Sequence, residues 1–258
     1  MPRRFEQAAL QSMGHALWVR ICHWIGAASF ATLAVTGFVV LMAHPRLYWG
    51  DVGNDLTPAL LELPISRNYH HGGWRQNVVF TNEAGSPVSA SRTVEIFNQN
   101  GWARSLHFLA GWFLVATGAS YLLAGFFSGH FRRDLVPRRG EVAPRVLWRE
   151  LIDRFRWRVP PGEAGPPYGA LQKCAYFGVV FLALPLMVLT GLAMSPAIDA
   201  GYPFLSGMFG GSQSARTIHF FVFAALVLFA IGHVLMVVLS GFGRQMRAMT
   251  WGKRYGQR

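Results

Sequence analysis

The stretch Arg216–Leu239, RTIHFFVFAALVLFAIGHVLMVVL, decides the fold of this chain of 258 residues. From Ile218 onward it contains no Lys, Arg, Asp or Glu. About 20 such residues are enough for a helix to cross a hydrocarbon core of ~30 Å. Two histidines, His219 and His233, interrupt the apolar sequence. The stretch therefore predicts a membrane-spanning helix that carries imidazole groups inside the bilayer.

Three further apolar runs precede this stretch: Ile21–Ala43, Leu106–Phe127 and Cys174–Met194. Together the four runs predict an all-α fold, an integral membrane four-helix bundle formed by the whole chain, 1–258, as a single domain. The predicted spans cover approximately residues 18–43, 103–127, 172–195 and 216–240. We expect the first span to be an uncleaved helix rather than a signal peptide, and we expect Pro185 to bend the third.

The charge of the chain is unusual, because only 14% of the residues are charged and yet the formal net charge is +12. A disordered chain would contain fewer apolar residues than the 52% found here. A compact nucleic-acid-binding domain would carry its basic residues over a charged surface, so no nucleic-acid partner is expected. Two cysteines are too few for a disulfide scaffold.

The basic residues are distributed unevenly over the segments between the spans. The terminal segments and the loop between the second and third spans carry eighteen basic and six acidic residues, whereas the other side carries six of each. The positive-inside rule therefore predicts that both termini and the basic loop, 128–171, face the cytoplasm, next to membrane lipid. A long loop between helices 1 and 2, residues 45–102, is expected to form an ordered cap on the outer side.

Four histidines fall inside the predicted spans, whereas Asp and Glu are absent from them. Ionisable groups inside a bilayer are costly and are candidates for function. A proton relay or a metal transporter would usually need a carboxylate, which weighs against both classes. Neutral histidine with an available ring nitrogen is instead typical of a metal or haem ligand.

The depth of each histidine predicts two pairs. His23 and His233 belong near the cytoplasmic face, and His107 and His219 belong near the outer face. The two histidines of the last span are 14 residues apart, which is ~21 Å along a helix and only ~40° around it. Two bis-histidine sites at different depths are typical of electron transfer across a bundle. No Cys-x-x-Cys-His occurs, so the haem would be bound non-covalently.

Two glycines are placed where a flat ring could approach a helix backbone. Gly118 lies 11 residues after His107 on nearly the same helix face, and Gly37 lies 14 residues after His23, at the depth of the outer site. We predict that Gly37 and Gly118 contact the haems, with ordinary helix packing as the alternative.

A basic residue precedes three of the histidines by three positions, which places it on the same helix face and nearer the water. We predict that these side chains bind haem propionates, because a guanidinium binds a carboxylate through two hydrogen bonds. Interfacial snorkelling is the alternative. The three residues are Arg20, Arg104 and Arg216.

These motifs resemble those of a known family, the four-helix dihaem cytochrome b subunits of bacterial respiratory enzymes, among them hydrogenases, formate dehydrogenases and thiosulfate reductases. The resemblance rests on Arg20-x-x-His23-Trp24, Arg104-x-x-His107 and Arg216-Thr217-Ile218-His219 with His233. The outer loop is most similar to thiosulfate-reductase-like cytochrome b proteins in Leu47-Tyr48-Trp49-Gly50, Ser91-Arg92-Thr93 and Asn98-Gln99-Asn100-Gly101-Trp102.

The resemblance implies two b-type haems in a multi-pass protein of the bacterial inner membrane. Such a protein exchanges electrons between membrane quinone or quinol and a periplasmic catalytic subunit that carries molybdopterin or iron–sulfur centres. It would then be a subunit of an oxidoreductase rather than a complete enzyme. The quinone site stays open, since His15, Arg20, Lys173 and Tyr176 lie at suitable depth but surface anchoring explains them equally well.

Two other functions remain as alternatives. One is a stand-alone four-helix b-type quinol oxidase, or a related cytochrome that passes electrons to ferric iron or oxygen species. The long outer loop weighs against it, because so small a protein needs little outside the bundle. The less favoured alternative is a histidine-based metal transporter.

Overall fold

The structure is a computed structural model that describes residues 16–54, 57–65, 100–131, 136, 140, 142–155 and 169–252. Most of the predicted outer cap and parts of the basic loop lie outside the described residues. The helices are, in chain order, α1 Leu17–Ala43, α2 Asn100–Phe127, α3 Pro144–Phe155, α4 Ala170–Gly178, α5 Leu184–Ala193, α6 Pro196–Gly201, α7 Phe204–Gly207, α8 Ser212–Leu239 and α9 Phe242–Thr250. Two short strands, β1 Arg46–Leu47 and β2 Leu61–Glu62, pair antiparallel, with Arg46 opposite Glu62.

Four long apolar helices confirm the predicted all-α membrane fold. The candidate spans are Leu17–Ala43, Gly101–Phe127, Ala170–Ala193 and Ser212–Leu239, with mean hydropathies between 1.5 and 2.8. The largest difference from the predicted bounds is at α8, which begins at Ser212 rather than at residue 216. Hydropathy detects only the apolar part of a helix, and the first turn of α8 is polar but still helical.

Large apolar side chains cover the outside of the long helices. Phe127 is 81% exposed, Phe126 75% and Leu228 70%. Such exposure is unfavourable in water, whereas in a bilayer these side chains meet hydrocarbon. The spans therefore present the surface that lipid requires.

The third span is not a uniform α-helix. A π-helical turn, Val179–Ala183, separates α4 from α5, and Pro185 follows it directly. Proline lacks the N–H that would bond the carbonyl of Phe181, and its ring crowds that carbonyl. A wide turn of this kind is a common way for a helix to absorb a local misfit in its hydrogen-bond ladder.

The chain forms two compact units, and the first comprises residues 1–26, 116–182 and 228–258. In this unit α3 is attached to the start of α4 by Glu150. Its two carboxylate oxygens accept hydrogen bonds from the backbone N–H groups of Ala170 and Leu171, both at 3.0 Å. These N–H groups have no partner within their own helix, so Glu150 caps α4 from a neighbouring element.

The second unit comprises residues 27–115 and 183–227. The loop after α1 is attached to the first turns of α8, since Gly50 N donates to Ser214 Oγ at 2.7 Å and Thr217 Oγ1 donates to the Tyr48 carbonyl at 2.6 Å. Gly211 has a φ of +113°, and a Cβ there would overlap the Gly50 backbone, so only glycine fits. The described part of the outer loop is therefore fixed just before His219.

Candidate haem-ligand sites

The four histidines of the spans divide evenly between the two units. His23 on α1 and His233 on α8 belong to the first unit, and His107 on α2 and His219 on α8 belong to the second. The structure thus groups the histidines in the same pairs that their sequence depth predicts.

In the first unit, the rings of His23 and His233 face each other with their centroids 6.3 Å apart and their planes at 52°. The surroundings are aromatic. Phe229 stacks on His233 at 6.0 Å and 18°, Tyr176 lies 6.3 Å from His233, and Trp24 meets His23 edge-on at 5.2 Å. The two half-buried imidazoles therefore lie among aromatic rings.

This separation fits a shared metal ion. An imidazole nitrogen binds a metal at about 2 Å and lies about 1 Å from its ring centroid, so two imidazoles on opposite sides of one ion have centroids roughly 6 Å apart. The observed 6.3 Å agrees with that value. His23 and His233 are therefore the two residues that would hold a haem iron in this unit.

In the second unit, each imidazole contacts a threonine hydroxyl from another helix. The Nδ1 atom of His107 lies 2.9 Å from Thr36 Oγ1, and the Nδ1 atom of His219 lies 2.9 Å from Thr190 Oγ1. With Nδ1 engaged in both rings, Nε2 is the nitrogen left for a metal, which is the donor set that bis-histidine haem ligation needs.

A glycine follows each of these threonines and contacts the same ring. An ideal Cβ on Gly37 would lie 3.3 Å from Cε1 of His107, and one on Gly191 would lie 3.5 Å from Cε1 of His219. The edge of each imidazole therefore rests against the backbone of a neighbouring helix. Gly37 was predicted to contact a haem; the structure places it against a predicted haem ligand.

The predicted arginines have different surroundings. Arg20 Nη1 donates to the Thr250 carbonyl at 2.7 Å, at the end of α9, where Trp24 Nε1 also donates to Met249 at 3.1 Å. Arg216 Nη2 donates to the carbonyl of His44, and Arg104 is exposed. Two guanidinium groups thus bind backbone carbonyls, although each has further N–H donors. Contact with a propionate remains a prediction for all three.

The other predicted positions are less constrained. A Cβ on Gly118 would meet no atom within 4 Å among the residues that the structure describes, so this face of α2 has room for a ligand. Of the quinone candidates, His15 lies outside the described residues and Lys173 is buried. The Tyr176 hydroxyl accepts a hydrogen bond from Gln172 Nε2 at 2.7 Å.

Three residues that contact the imidazoles of His107 or His219 were not predicted from the sequence: Thr36, Thr190 and Gly191. A partial signal for them exists, because the dipeptide Thr-Gly occurs in each of the first three spans, at 36–37, 117–118 and 190–191. The first and third copies each pack against a histidine that stands three residues after an arginine on the following long helix. The motif is only two residues long, and hydroxyl side chains are common in membrane helices. The sequence alone therefore does not identify which of these threonines contact a histidine.

Comparison with known proteins identifies relatives over most of the chain. The model of the prokaryotic cytochrome b561 family matches residues 14–252. A protein of Azospira oryzae named as a protein-methionine-sulfoxide reductase subunit, YedZ1, is 26% identical over 87% of this chain and 90% of its own length. A protein of Azotobacter chroococcum named as a Ni/Fe-hydrogenase B-type cytochrome subunit is 30% identical over 84% of this chain and 76% of its own length. The protein of the same name in Azotobacter vinelandii is 29% identical over 85% of this chain and 77% of its own length.

Proposed function

This chain belongs to the prokaryotic cytochrome b561 family, and from that premise we propose that it relays electrons through two b-type haems between membrane quinone and a periplasmic redox partner. As a family member it is a b-type cytochrome, an electron-transfer subunit that crosses the bacterial inner membrane several times. The proposal adds the number of haems, their ligands, the quinone and the partner.

The observation that carries the proposal is the separation of the His23 and His233 rings, 6.3 Å between centroids, which suits two axial ligands of one iron. His107 and His219, each held at Nδ1 by a threonine, supply an equivalent donor set in the second unit. We assign one haem b to each pair. Arg20, Arg104, Arg216 and Gly118 are proposed as additional contacts to the haems.

The residues around each pair favour electron transfer over substrate binding. Haem iron supplies a one-electron couple when bound. Each pair would supply two imidazole ligands to one iron, and an iron held in this way would leave no position for a substrate. Phe229 and Tyr176 pack beside His233 and place aromatic rings next to one of the proposed ligands.

The proposed orientation of the relay in the membrane rests on the charge distribution. With both termini and loop 128–171 in the cytoplasm, the His107–His219 pair would lie toward the periplasm and the His23–His233 pair toward the cytoplasm. By analogy with the family, we propose that quinone reacts on the cytoplasmic side. We propose that the cap, 45–102, receives the catalytic partner, a molybdopterin or iron–sulfur subunit. The names of the relatives, a hydrogenase subunit and a reductase subunit, both describe parts of larger oxidoreductases. The narrower likeness to thiosulfate-reductase-like proteins stays a prediction.

The number of haems and the pairing are tested together by His219→Ala. The wild-type protein should give two b-type haems per chain in a pyridine haemochrome assay, and the variant should give one. The retained haem should show the spectrum of the His23–His233 site. His130→Ala is the matched control, because His130 packs against Trp18 in an aromatic cluster and is not proposed as a ligand.

Absence of haem from the purified wild-type protein would contradict the whole proposal. If His219→Ala instead removed the haem that His23→Ala also removes, the assigned pairing would be wrong. The partner is tested separately by purification of the tagged protein from its native membrane. Recovery of the cytochrome without any molybdenum or iron–sulfur subunit would contradict the proposed partner.

A further inference from the structure

We propose that Thr36 and Thr190 are positioning residues that orient the two imidazoles of the His107–His219 site and lower the reduction potential of the haem bound there. The inference rests on the proposed ligand assignment. It adds a role for two hydroxyl groups that lie on helices other than those carrying the histidines.

The first step is the direction of the two hydrogen bonds. Thr36 Oγ1 lies 2.7 Å from the Thr32 carbonyl of its own helix, and Thr190 Oγ1 lies 2.7 Å from the Leu186 carbonyl. A carbonyl can only accept, so each hydroxyl donates its single proton to its own helix. The oxygen can then only accept from the imidazole, and Nδ1 of each histidine is the donor.

The second step is the tautomer that follows. An imidazole that donates from Nδ1 and is neutral has its lone pair on Nε2, the form in which it binds a metal. Both rings therefore present an unprotonated Nε2 that can bind iron.

The third step is the rigidity of the contact. Thr36 is 1% exposed and Thr190 is not exposed at all, so water does not compete for the hydroxyl groups, and a hydrogen bond is stronger in such surroundings. Gly37 and Gly191 hold the edge of the same rings from the next position along each helix. Each ring therefore has a hydroxyl contact and a backbone contact that together restrict its rotation.

The electronic consequence follows from the bond to Nδ1. When the ring nitrogen that does not bind the metal donates a hydrogen bond, the imidazole becomes a stronger electron donor to the metal. Stronger donation stabilises ferric iron relative to ferrous iron, which lowers the reduction potential. In the first unit, by contrast, the described neighbours of the His233 ring are aromatic rings. The two threonines should consequently tune one haem and not the other.

The test uses the full-length haem-loaded protein and redox titration of its visible bands. Thr36→Val and Thr190→Val keep the shape of the side chain and remove the hydroxyl. Each should shift one of the two b-haem transitions to a more positive potential and leave the other unchanged, and the double variant should shift it further. Thr36→Ser and Thr190→Ser retain the hydroxyl and should restore the wild-type potential.

Thr32→Val is the matched control, because Thr32 is on the same helix and, within the part of the chain that the structure describes, its hydroxyl bonds only the Ala28 carbonyl, at 2.9 Å. It should leave both transitions unchanged. The electron paramagnetic resonance signals of the oxidised protein provide a second readout. In the valine variants the imidazole ring can rotate more freely, and this should change the signal of one low-spin haem. If a valine variant loses that haem and the serine variant keeps it, the positioning role is supported.

The inference is overturned if the valine variants titrate like the wild type, if both transitions move equally, or if the serine variants behave like the valine variants. These results are separable from failure of the proposed function. That failure would appear in the wild-type protein, as absence of haem or as loss of the wrong haem in His219→Ala.

Discussion

Gly37 and Gly191 leave little space between the helix backbone and the imidazole rings of His107 and His219. We predict that Gly37→Ala displaces the His107 ring, because the new Cβ would lie 3.3 Å from Cε1, closer than ordinary van der Waals contact, so that the ring has to move by a few tenths of an ångström. Overpacking of this kind costs about 1–3 kcal/mol, enough to weaken haem retention roughly tenfold. Gly191→Ala should have a smaller effect, since its distance is 3.5 Å.

Haem content per chain and the visible spectrum measure this effect. Gly101→Ala is the control, because a Cβ at Gly101 meets no atom within 4 Å among the described residues. Gly37→Ala and Gly101→Ala proteins with the same haem content and spectrum would show that the glycine contact is unimportant.

Single residues also show what the sequence could and could not reveal. The histidines were predictable because ionisable groups are rare inside spans. Thr36 and Thr190 were not, because a threonine in a helix ordinarily bonds its own preceding turn, and both of these do so. Their second contact comes from a helix distant in the chain. Arg20 shares a helix face with His23, as predicted, yet it donates to a carbonyl 230 residues away.

At the scale of helices and loops, the spans were predictable and their irregularities were not. Hydropathy identifies a stretch of about 20 apolar residues whatever the surroundings. The start of α8 and the capping of α4 depend on contacts with other elements, namely the Gly50 loop and Glu150. Local sequence contains no information about such partners. For the same reason Pro185 indicated a perturbed helix without indicating a π-helical turn before it.

The cap on α4 gives a prediction for that element. We expect Glu150→Ala to lower the melting temperature of the detergent-solubilised protein by several degrees, because two backbone N–H groups lose a charged acceptor, at a cost of about 1–3 kcal/mol. Glu150→Gln retains one acceptor oxygen and should have an intermediate effect. Asp153→Ala makes the same kind of change on α3 and is the control. An equal loss in the Asp153→Ala and Glu150→Ala proteins would contradict the capping role.

At the scale of the whole molecule, the distribution of the net charge of +12 predicts how the protein is oriented in the membrane. The residues assigned to the cytoplasmic side carry eighteen basic and six acidic side chains, and the residues assigned to the outer side carry six of each. The predicted topology thus assigns the entire net charge to one side of the membrane. The orientation that the positive-inside rule predicts would place the His107–His219 pair near the periplasm and the His23–His233 pair near the cytoplasm.

This orientation is testable with two exposed valines. In a background without Cys22 and Cys174, we expect Val52→Cys to react with a membrane-impermeant maleimide in intact spheroplasts and Val142→Cys to react only after permeabilisation. Val52 lies in the loop after α1 and is 55% exposed, and Val142 precedes α3 and is 42% exposed. Because their exposure is similar, a difference in labelling reports the side of the membrane. The opposite labelling pattern would place the His23–His233 pair on the periplasmic side, and the proposed quinone and partner faces would exchange.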